Sequence, residues 1–329
     1  MKSKLLFTVA LAAVFLGADA LAASRGGSNY HFFQLDGCNR EPYGVLKNFH
    51  THTAQIQSDL VQMYDNGQRR LRIGVFHGRG LNSGTLIDSA GGNISPQYRQ
   101  NLVDLLATIR AVGFVEIQFA FFPQGQNNPG NWAASTGWSS QNESYFQENW
   151  NLIYNLMPIL RASGIHFTVD LGNELFLPQR GARAAPNNRA IYASKLWANF
   201  RTVFSIGESM GFSVRPSEID NLSEARLIYG NFPPFTMSIH MYGDYYNNVR
   251  KAHAELNAAN YGYTGLVVGE VPYNDADVAS QVNSASLTIG SRPLHWLTQW
   301  PLRPGAACSE TGVNVAPPLD FGNYIIYGF

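Results

Sequence analysis

Two glutamates stand at the ends of apolar runs. Glu174 closes Phe-Thr-Val-Asp-Leu-Gly-Asn-Glu (167–174), and Glu270 closes Gly-Leu-Val-Val-Gly-Glu (265–270). An ionised carboxylate is seldom set at the end of an apolar strand without a partner or a task. Arg72 in Leu-Arg-Ile, Asn173 beside Glu174, and the group His240-Met241-Tyr242 supply further polar side chains in similar settings. Two carboxylates with a guanidinium, an imidazole and a phenol suit proton transfer and nucleophilic attack at one centre. A salt bridge at a strand end is the structural alternative for either glutamate alone. Taken together, with Asn173 beside one of them, the pair favours a functional site.

Strand alternation gives these residues a common direction, because successive side chains point to opposite faces. Leu71, Ile73 and Val75 form one apolar face, which turns Arg72 the other way. Ile165, Phe167, Val169 and Leu171 likewise leave His166, Thr168, Asp170 and Glu174 on the second face. Met237, Ile239 and Met241 leave Ser238, His240 and Tyr242.

The elements that must carry them recur along the chain. Strands are expected at 30–35, 70–76, 114–121, 165–171, 212–218, 236–241, 264–269 and 294–298. Helical patterns lie between them at 53–66, 96–112, 143–163, 188–210, 223–229, 246–260 and 275–289. In the third helix Phe146, Trp150, Ile153, Tyr154, Met157 and Leu160 keep one face apolar, with Pro158 as a kink. Strands alternating with helices imply parallel βαβ units, and eight strands imply a single (β/α)8 TIM barrel. A doubly wound open sheet would carry a Gly-rich phosphate turn after its first strand, and none is present. In a barrel the site belongs at the C-terminal ends of the strands, where Glu174, His240, Tyr242 and Glu270 fall.

The sequence here resembles the clan A glycoside hydrolases and is most similar to family 5. The clan's Asn-Glu at the end of strand four is matched by Asn173-Glu174, and its strand-seven Glu by Glu270. Family 5 adds an Arg on strand two, matched by Arg72, and a His-x-Tyr on strand six, matched by His240 and Tyr242. An aromatic platform after strand eight is matched by Trp300 in Trp-Leu-Thr-Gln-Trp. Strand three reads Glu-Ile-Gln-Phe-Ala-Phe-Phe (116–122) and lacks the family's usual His, for which His77 is the substitute on offer.

The resemblance implies retaining cleavage of β-glycosidic bonds. Glu270 is then the nucleophile, its charge stabilised and its pKa lowered by Arg72 and Tyr242. Glu174 is the acid/base, kept protonated by burial and by the charge of Glu270. Asn173 would bind the sugar 2-hydroxyl and His240 would orient groups in the same subsite. No metal and no organic cofactor is implied. Trp132, Trp138, Tyr245, Tyr273 and Trp300 could line an extended polysaccharide cleft, which favours endo action. Singly, all but Trp300 are more simply read as packing. Arg180, Arg183 and Arg189 could meet an acidic sugar, although a solvated loop is the simpler reading.

The 329 residues include 23 basic and 23 acidic side chains, and 45% are hydrophobic. Zero net charge removes the electrostatic basis for general nucleic-acid binding. Lys2 and Lys4, the apolar run 5–16 and the small residues around Ala18–Ala23 have the order of a secretory signal. We therefore expect a signal peptide over 1–22 and a barrel domain over 23–329, secreted or periplasmic, monomeric and without membrane insertion. Only Cys38 and Cys308 are available for a disulfide, and they follow strands one and eight. These strands are neighbours in a closed barrel, so a bridge there would tie the seam.

Two rivals carry different chemistry. His50-Thr51-His52 has the spacing that opens a metal-dependent barrel hydrolase site, but the strand-five His such a site needs is missing. The pair is expected to sit at a helix start, with Thr51 or Thr53 as cap. The other rival is a catalytically silent barrel that only binds glycan, against which the presence of both Glu174 and Glu270 argues.

Overall fold

A computed structural model describes residues 24–33, 44–132, 137–176, 187–300 and 319–329. Seven parallel strands build the barrel wall: β1 (Gly26–Asn29), β2 (Arg70–Gly78), β4 (Glu116–Pro123), β5 (His166–Asp170), β6 (Thr236–His240), β7 (Gly265–Val271) and β8 (Leu294–Gln299). A two-residue strand, β3 (Ile87–Asp88), pairs with the end of β2 outside the wall. The order β5-β4-β2-β1-β8-β7-β6 brings the first and last strands together, with Gly27 level with both Arg70 and Thr298.

The fifth wall position is irregular. The amide of Met210 donates to Val169 O at 2.9 Å and that of Leu171 to Gly211 O at 2.8 Å. On the other side Val214 N donates to Ser238 O and His240 N to Val214 O. These bonds complete a (β/α)8 barrel without the regular strand expected over 212–218. Pro216 opens a 3-10 helix, Pro216–Ala225, because it fixes its own φ and lacks an N–H.

The first strand also differs from expectation. It is Gly-Gly-Ser-Asn at 26–29, and of the run expected at 30–35 the described residues 30–33 lie outside it. Polar and small, this stretch carries no apolar period, but its place demands small residues. A Cβ on Gly27 would lie 1.8 Å from Arg70 O. Tyr30 and Phe33 instead join the main core, which fills the space between wall and helices.

The helices α1 (Val45–Asp65), α2 (Pro96–Val112), α3 (Ser140–Ala162), α4 (Asn188–Val203), α5 (Arg226–Tyr229), α6 (Tyr245–Ala258) and α7 (Ala276–Ile289) surround the wall, and α8 (Gly322–Ile325) follows β8. Ser95 caps α2 by accepting from Tyr98 N, and Gly113 ends it at φ 113°. Helix α1 begins eight residues before the expected Thr53, but His52 breaks it at φ −132°, so the predicted start falls on a real discontinuity. Thr51 and Thr53 donate to backbone carbonyls of the preceding turn and cap nothing. In α3 the predicted face is buried at Phe146, Ile153, Met157 and Leu160, whereas Tyr154 is half exposed.

Inside the wall, Met210, Val267 and Trp296 form a small apolar layer of their own. Rows in register set the rest: Arg70, Glu116 and His166 at the N-terminal mouth, then Arg72, Gln118 and Thr168 one layer up. No helix among the described residues is long and apolar enough to cross a membrane.

Candidate active site

Arg72 is the hub of the C-terminal end of the barrel. Wholly buried, it reaches inward from β2 as its alternation requires. Its Nη1 donates to Glu270 Oε1 and to Asn29 Oδ1, both at 2.9 Å. Its Nη2 donates to Asp170 Oδ2 at 3.0 Å and to Asn173 Oδ1 at 2.6 Å. One guanidinium thus ties down groups from β1, β5 and β7 and from the turn after β5. Both terminal nitrogens are paired, as a buried cation requires, and only Nε is buried without a partner.

Glu270, the penultimate residue of β7, has two further donors around it. Tyr242 Oη donates to its Oε2 at 2.8 Å, and His240 Nδ1 lies 3.3 Å from its Oε1. Burial, then the charge and hydrogen bond of Glu270, push the Tyr242 phenol far above its ordinary range. It therefore stays protonated and remains a donor to the carboxylate.

Glu174 follows β5 in a tight turn. Its φ of 53° is left-handed, a conformation that costs a non-glycine residue about 1–3 kcal/mol. His240 Nδ1 lies 3.1 Å from Glu174 Oε1, so one ring nitrogen faces both carboxylates. Ligand atoms of Glu174, His240 and Glu270 all fall within 4.8 Å of one another. Burial pushes the Glu174 carboxyl up, but the hydrogen bond and charge of His240, with the charges of Arg215 and Arg72, outweigh it and leave the pKa below the ordinary value. This corrects the expectation of a Glu174 held protonated by burial and by Glu270. In the free protein its surroundings favour the ionised form.

An aromatic wall stands beside Arg72. Phe76 and Phe122 stack at 4.2 Å, and the Arg72 guanidinium lies 5.2 Å from the Phe122 ring centroid. His31 packs edge-on to Phe122 at 5.0 Å and lies 5.6 Å from Trp300, which brings the expected platform residue to the site. Burial, then the charges of Arg72 and His240, hold the His31 pKa well below its usual value, so this imidazole is neutral. Asn29 orients it. The Asn29 amide nitrogen donates to Gly269 O and Gln299 O, which turns its oxygen toward Arg72 and His31.

His77 does not join the group. With Arg72 inward, position 76 also faces inward and 77 faces out. There its Nδ1 meets Ser89 Oγ at 3.0 Å, and burial lowers its pKa to about 3. Neutral His31, which follows β1, packs instead against Phe122 at the end of the third wall strand.

Asn29, His31, Phe76, Phe122, Asp170, Ser213 and Arg215 are the site components that motif matching missed. Asp170, Phe76 and Phe122 were available from alternation alone. Asn29 and His31 were hidden by the misplaced first strand.

The remaining candidates lie elsewhere. Trp132 is buried against Trp138 and Tyr192, and Trp138 is covered by Lys195 and bonded to Glu143. Both are packing residues, although Trp132 also lines a cavity of about 500 Å³ with Gln126, Tyr145 and Asn188. Arg189 donates to Trp132 O, and Tyr273 accepts from the amide of Asp320. Tyr245 opens α6 and is partly buried against the main core. His50 meets the Asn101 amide and His52 packs on Phe33; neither belongs to a cluster with metal-ligand spacing among the described residues. Cys38, Cys308, Arg180 and Arg183 lie outside the described residues.

No family model matches the sequence, and no curated protein does. Solved structures match by fold. A GH5_18 protein from Streptomyces cattleya in complex with GlcNAc superposes with a TM-score of 0.55 at 12% identity, covering 92% of this chain and 78% of that one. A glycoside hydrolase 5 lichenase mutant from Caldicellulosiruptor sp. F32, in complex with cellotetraose, gives 0.56 at 12% identity and covers 94% of both chains. A GH5_18 protein from Bifidobacterium longum subsp. infantis gives 0.55 at 13%, covering 93% of this chain and 78% of that one. The chain is built on the same (β/α)8 barrel as these family 5 glycoside hydrolases.

Proposed function

We propose that the protein is a secreted glycoside hydrolase that cleaves β-glycosidic bonds within a polysaccharide, with retention of configuration. The observation that carries this reading is the pair of carboxylates, Glu174 and Glu270, whose nearest oxygens come within 4.8 Å on either side of His240 Nδ1. Retaining enzymes hold their two carboxyl groups about 5–5.5 Å apart, too close for water to act between nucleophile and sugar.

In this reading Glu270 is the nucleophile. Arg72, Tyr242 and His240 surround it with donors and aim one oxygen at the anomeric carbon. Glu174 gives a proton to the departing oxygen as Glu270 forms the ester bond. The ionised Glu174 then takes a proton from water, the water oxygen attacks the anomeric carbon, and the ester breaks to return Glu270. The free-state preference of Glu174 for its charged form suits this second half. The first half draws on the protonated fraction, which places optimal turnover on the acid side of neutrality. Asn173 meets the sugar 2-hydroxyl, and Trp300 and His31 offer the ring an apolar face.

The order of charge, apolar run and small residues over 1–22 supports export, and the protein acts as a monomer. A Cys38–Cys308 bridge belongs to the same reading, supported by the pairing of β1 with β8. Cellotetraose and GlcNAc, held by two of the similar structures, guide the choice of substrates. The test is reducing-sugar release from β-glucans, mannans and xylans by wild type beside Glu270→Gln. Release that the variant loses supports the proposal. Equal release by both proteins removes Glu270 from the mechanism, and release by neither from any polymer favours a silent glycan-binding barrel.

A further inference from the structure

We infer that Ser213 and Arg215 are positioning residues for Glu174: from the irregular fifth wall position they clamp its backbone on both sides and so fix the place of its carboxylate. The inference rests on the reading of Glu174 as the acid/base. A left-handed glutamate has no short side chain with which to stabilise its own backbone, as Asn or Asp can. Its surroundings must hold it. The Glu174 amide donates to Ser213 Oγ at 2.8 Å, and the Glu174 carbonyl accepts from Arg215 Nη2 at 2.9 Å.

The clamp is itself anchored. Ser213 is fully buried; its amide donates to Asp170 Oδ1 at 3.1 Å and its carbonyl accepts from Phe176 N. Asp170 Oδ2 in turn accepts from Arg72 Nη2. A continuous string of hydrogen bonds, all buried but the partly buried last one, therefore runs Glu270–Arg72–Asp170–Ser213–Glu174 and sets the Glu174 backbone relative to the Glu270 carboxylate. This also accounts for the broken fifth strand. The Ser213 N–H, which a regular ladder would spend on a neighbouring carbonyl, is spent on Asp170. Pro216 holds the Arg215 backbone extended, at φ −69° and ψ 159°, and the Arg215 charge adds to the pull on the Glu174 carboxyl.

Three variants test the clamp: Ser213→Ala, Arg215→Gln and Arg215→Lys. Each is compared with wild type on lichenan, whose leaving group needs a proton, and on 2,4-dinitrophenyl β-cellobioside, whose leaving group does not. A displaced acid should lower kcat on lichenan about 10–100-fold with KM little changed, while dinitrophenol release at the glycosylation step falls less than about threefold. Arg215→Lys should recover part of the loss. Equal losses on both substrates, or none, would overturn the clamp. Wild type inactive on both glycosides would tell against a β-glucan substrate rather than against the clamp, which the titration below decides without turnover.

A second readout decides the clamp without turnover. In protein labelled with ¹³C at the glutamate carboxyls, the Glu174 signal is assigned by its loss in Glu174→Gln and titrated in wild type and Ser213→Ala. Ser213→Ala alters no charge, so it acts on this carboxyl only by moving it away from His240. Its apparent pKa should rise; an unchanged titration would sink the proposal.

Discussion

Arg72 Nη1 and Glu270 Oε1 meet 2.9 Å apart across the barrel, with the guanidinium wholly buried and the carboxylate 8% exposed. The same guanidinium also pairs with Asp170, so two buried carboxylates share it. Arg72→Gln should therefore cost stability as well as turnover, by about 3–5 kcal/mol, because it strands buried charge. Glu270→Gln keeps shape and most hydrogen bonding and should leave the midpoint of urea unfolding nearly in place. Equilibrium unfolding of both variants checks the contrast; equal destabilisation would mean that the ion pair is not what the fold relies on.

Tyr242 separates chemistry from folding more cleanly. Its ring is 47% exposed while its hydroxyl serves Glu270. Tyr242→Phe should lower kcat about 100–1,000-fold, the range for losing one preorganised donor at a developing or reacting charge, with less than about 1 kcal/mol lost in stability. The measurement is kcat on whichever polymer the wild type cleaves, beside a thermal melt. A large stability loss with unchanged kcat would assign the hydroxyl a structural role only.

How much of this was legible beforehand depends on regularity. Arg72, Thr168, Ser238 and His240 lie on strands with apolar residues on alternate positions, so their inward direction followed from the sequence alone. The same arithmetic places position 77 outward. As a substitute for the strand-three His of family 5, His77 runs against its own alternation. Asn29 was invisible because Gly-Gly-Ser-Asn has no apolar period: backbone contact at Gly27 excludes side chains there. Ser213 and Arg215 were missed for a related reason, since the run from Phe212 imitates a strand while its hydrogen bonds go to Asp170 and Glu174. Local pattern reports what the wall requires, and the site uses residues where the wall gives way.

In the proposed mechanism the pH dependence of turnover follows from Glu174. Its carboxyl lies below the usual value, so the protonated fraction needed for the first step falls about tenfold per pH unit once the pH exceeds that pKa. On an unactivated glycan, kcat/KM should decline on the alkaline side from an acidic optimum. Arg215→Gln removes one of the charges that favour the ionised form and should move that limb to higher pH. A pH–rate profile of both proteins checks this; an alkaline limb that Arg215→Gln leaves in place would separate it from Glu174.

Stability should run the other way with pH, and His77 shows why. Buried against Ser89 and Phe121, its pKa is lowered to about 3 from an ordinary 6.5. The unfolded chain therefore binds a proton that the folded chain refuses throughout the interval between those values. The stabilisation is complete above about pH 6.5 and is lost as pH falls toward 3, at up to about 1.4 kcal/mol per pH unit for one proton. Neutral His31 adds to the same trend, since burial and Arg72 also lower its pKa. Urea unfolding at several pH values between 4 and 7 should show stability rising with pH, and His77→Gln should flatten the slope by roughly one proton's share. An unchanged slope in His77→Gln would mean that the buried imidazole is not the group being titrated. If it is, the acid side that favours turnover is also where the barrel is least stable.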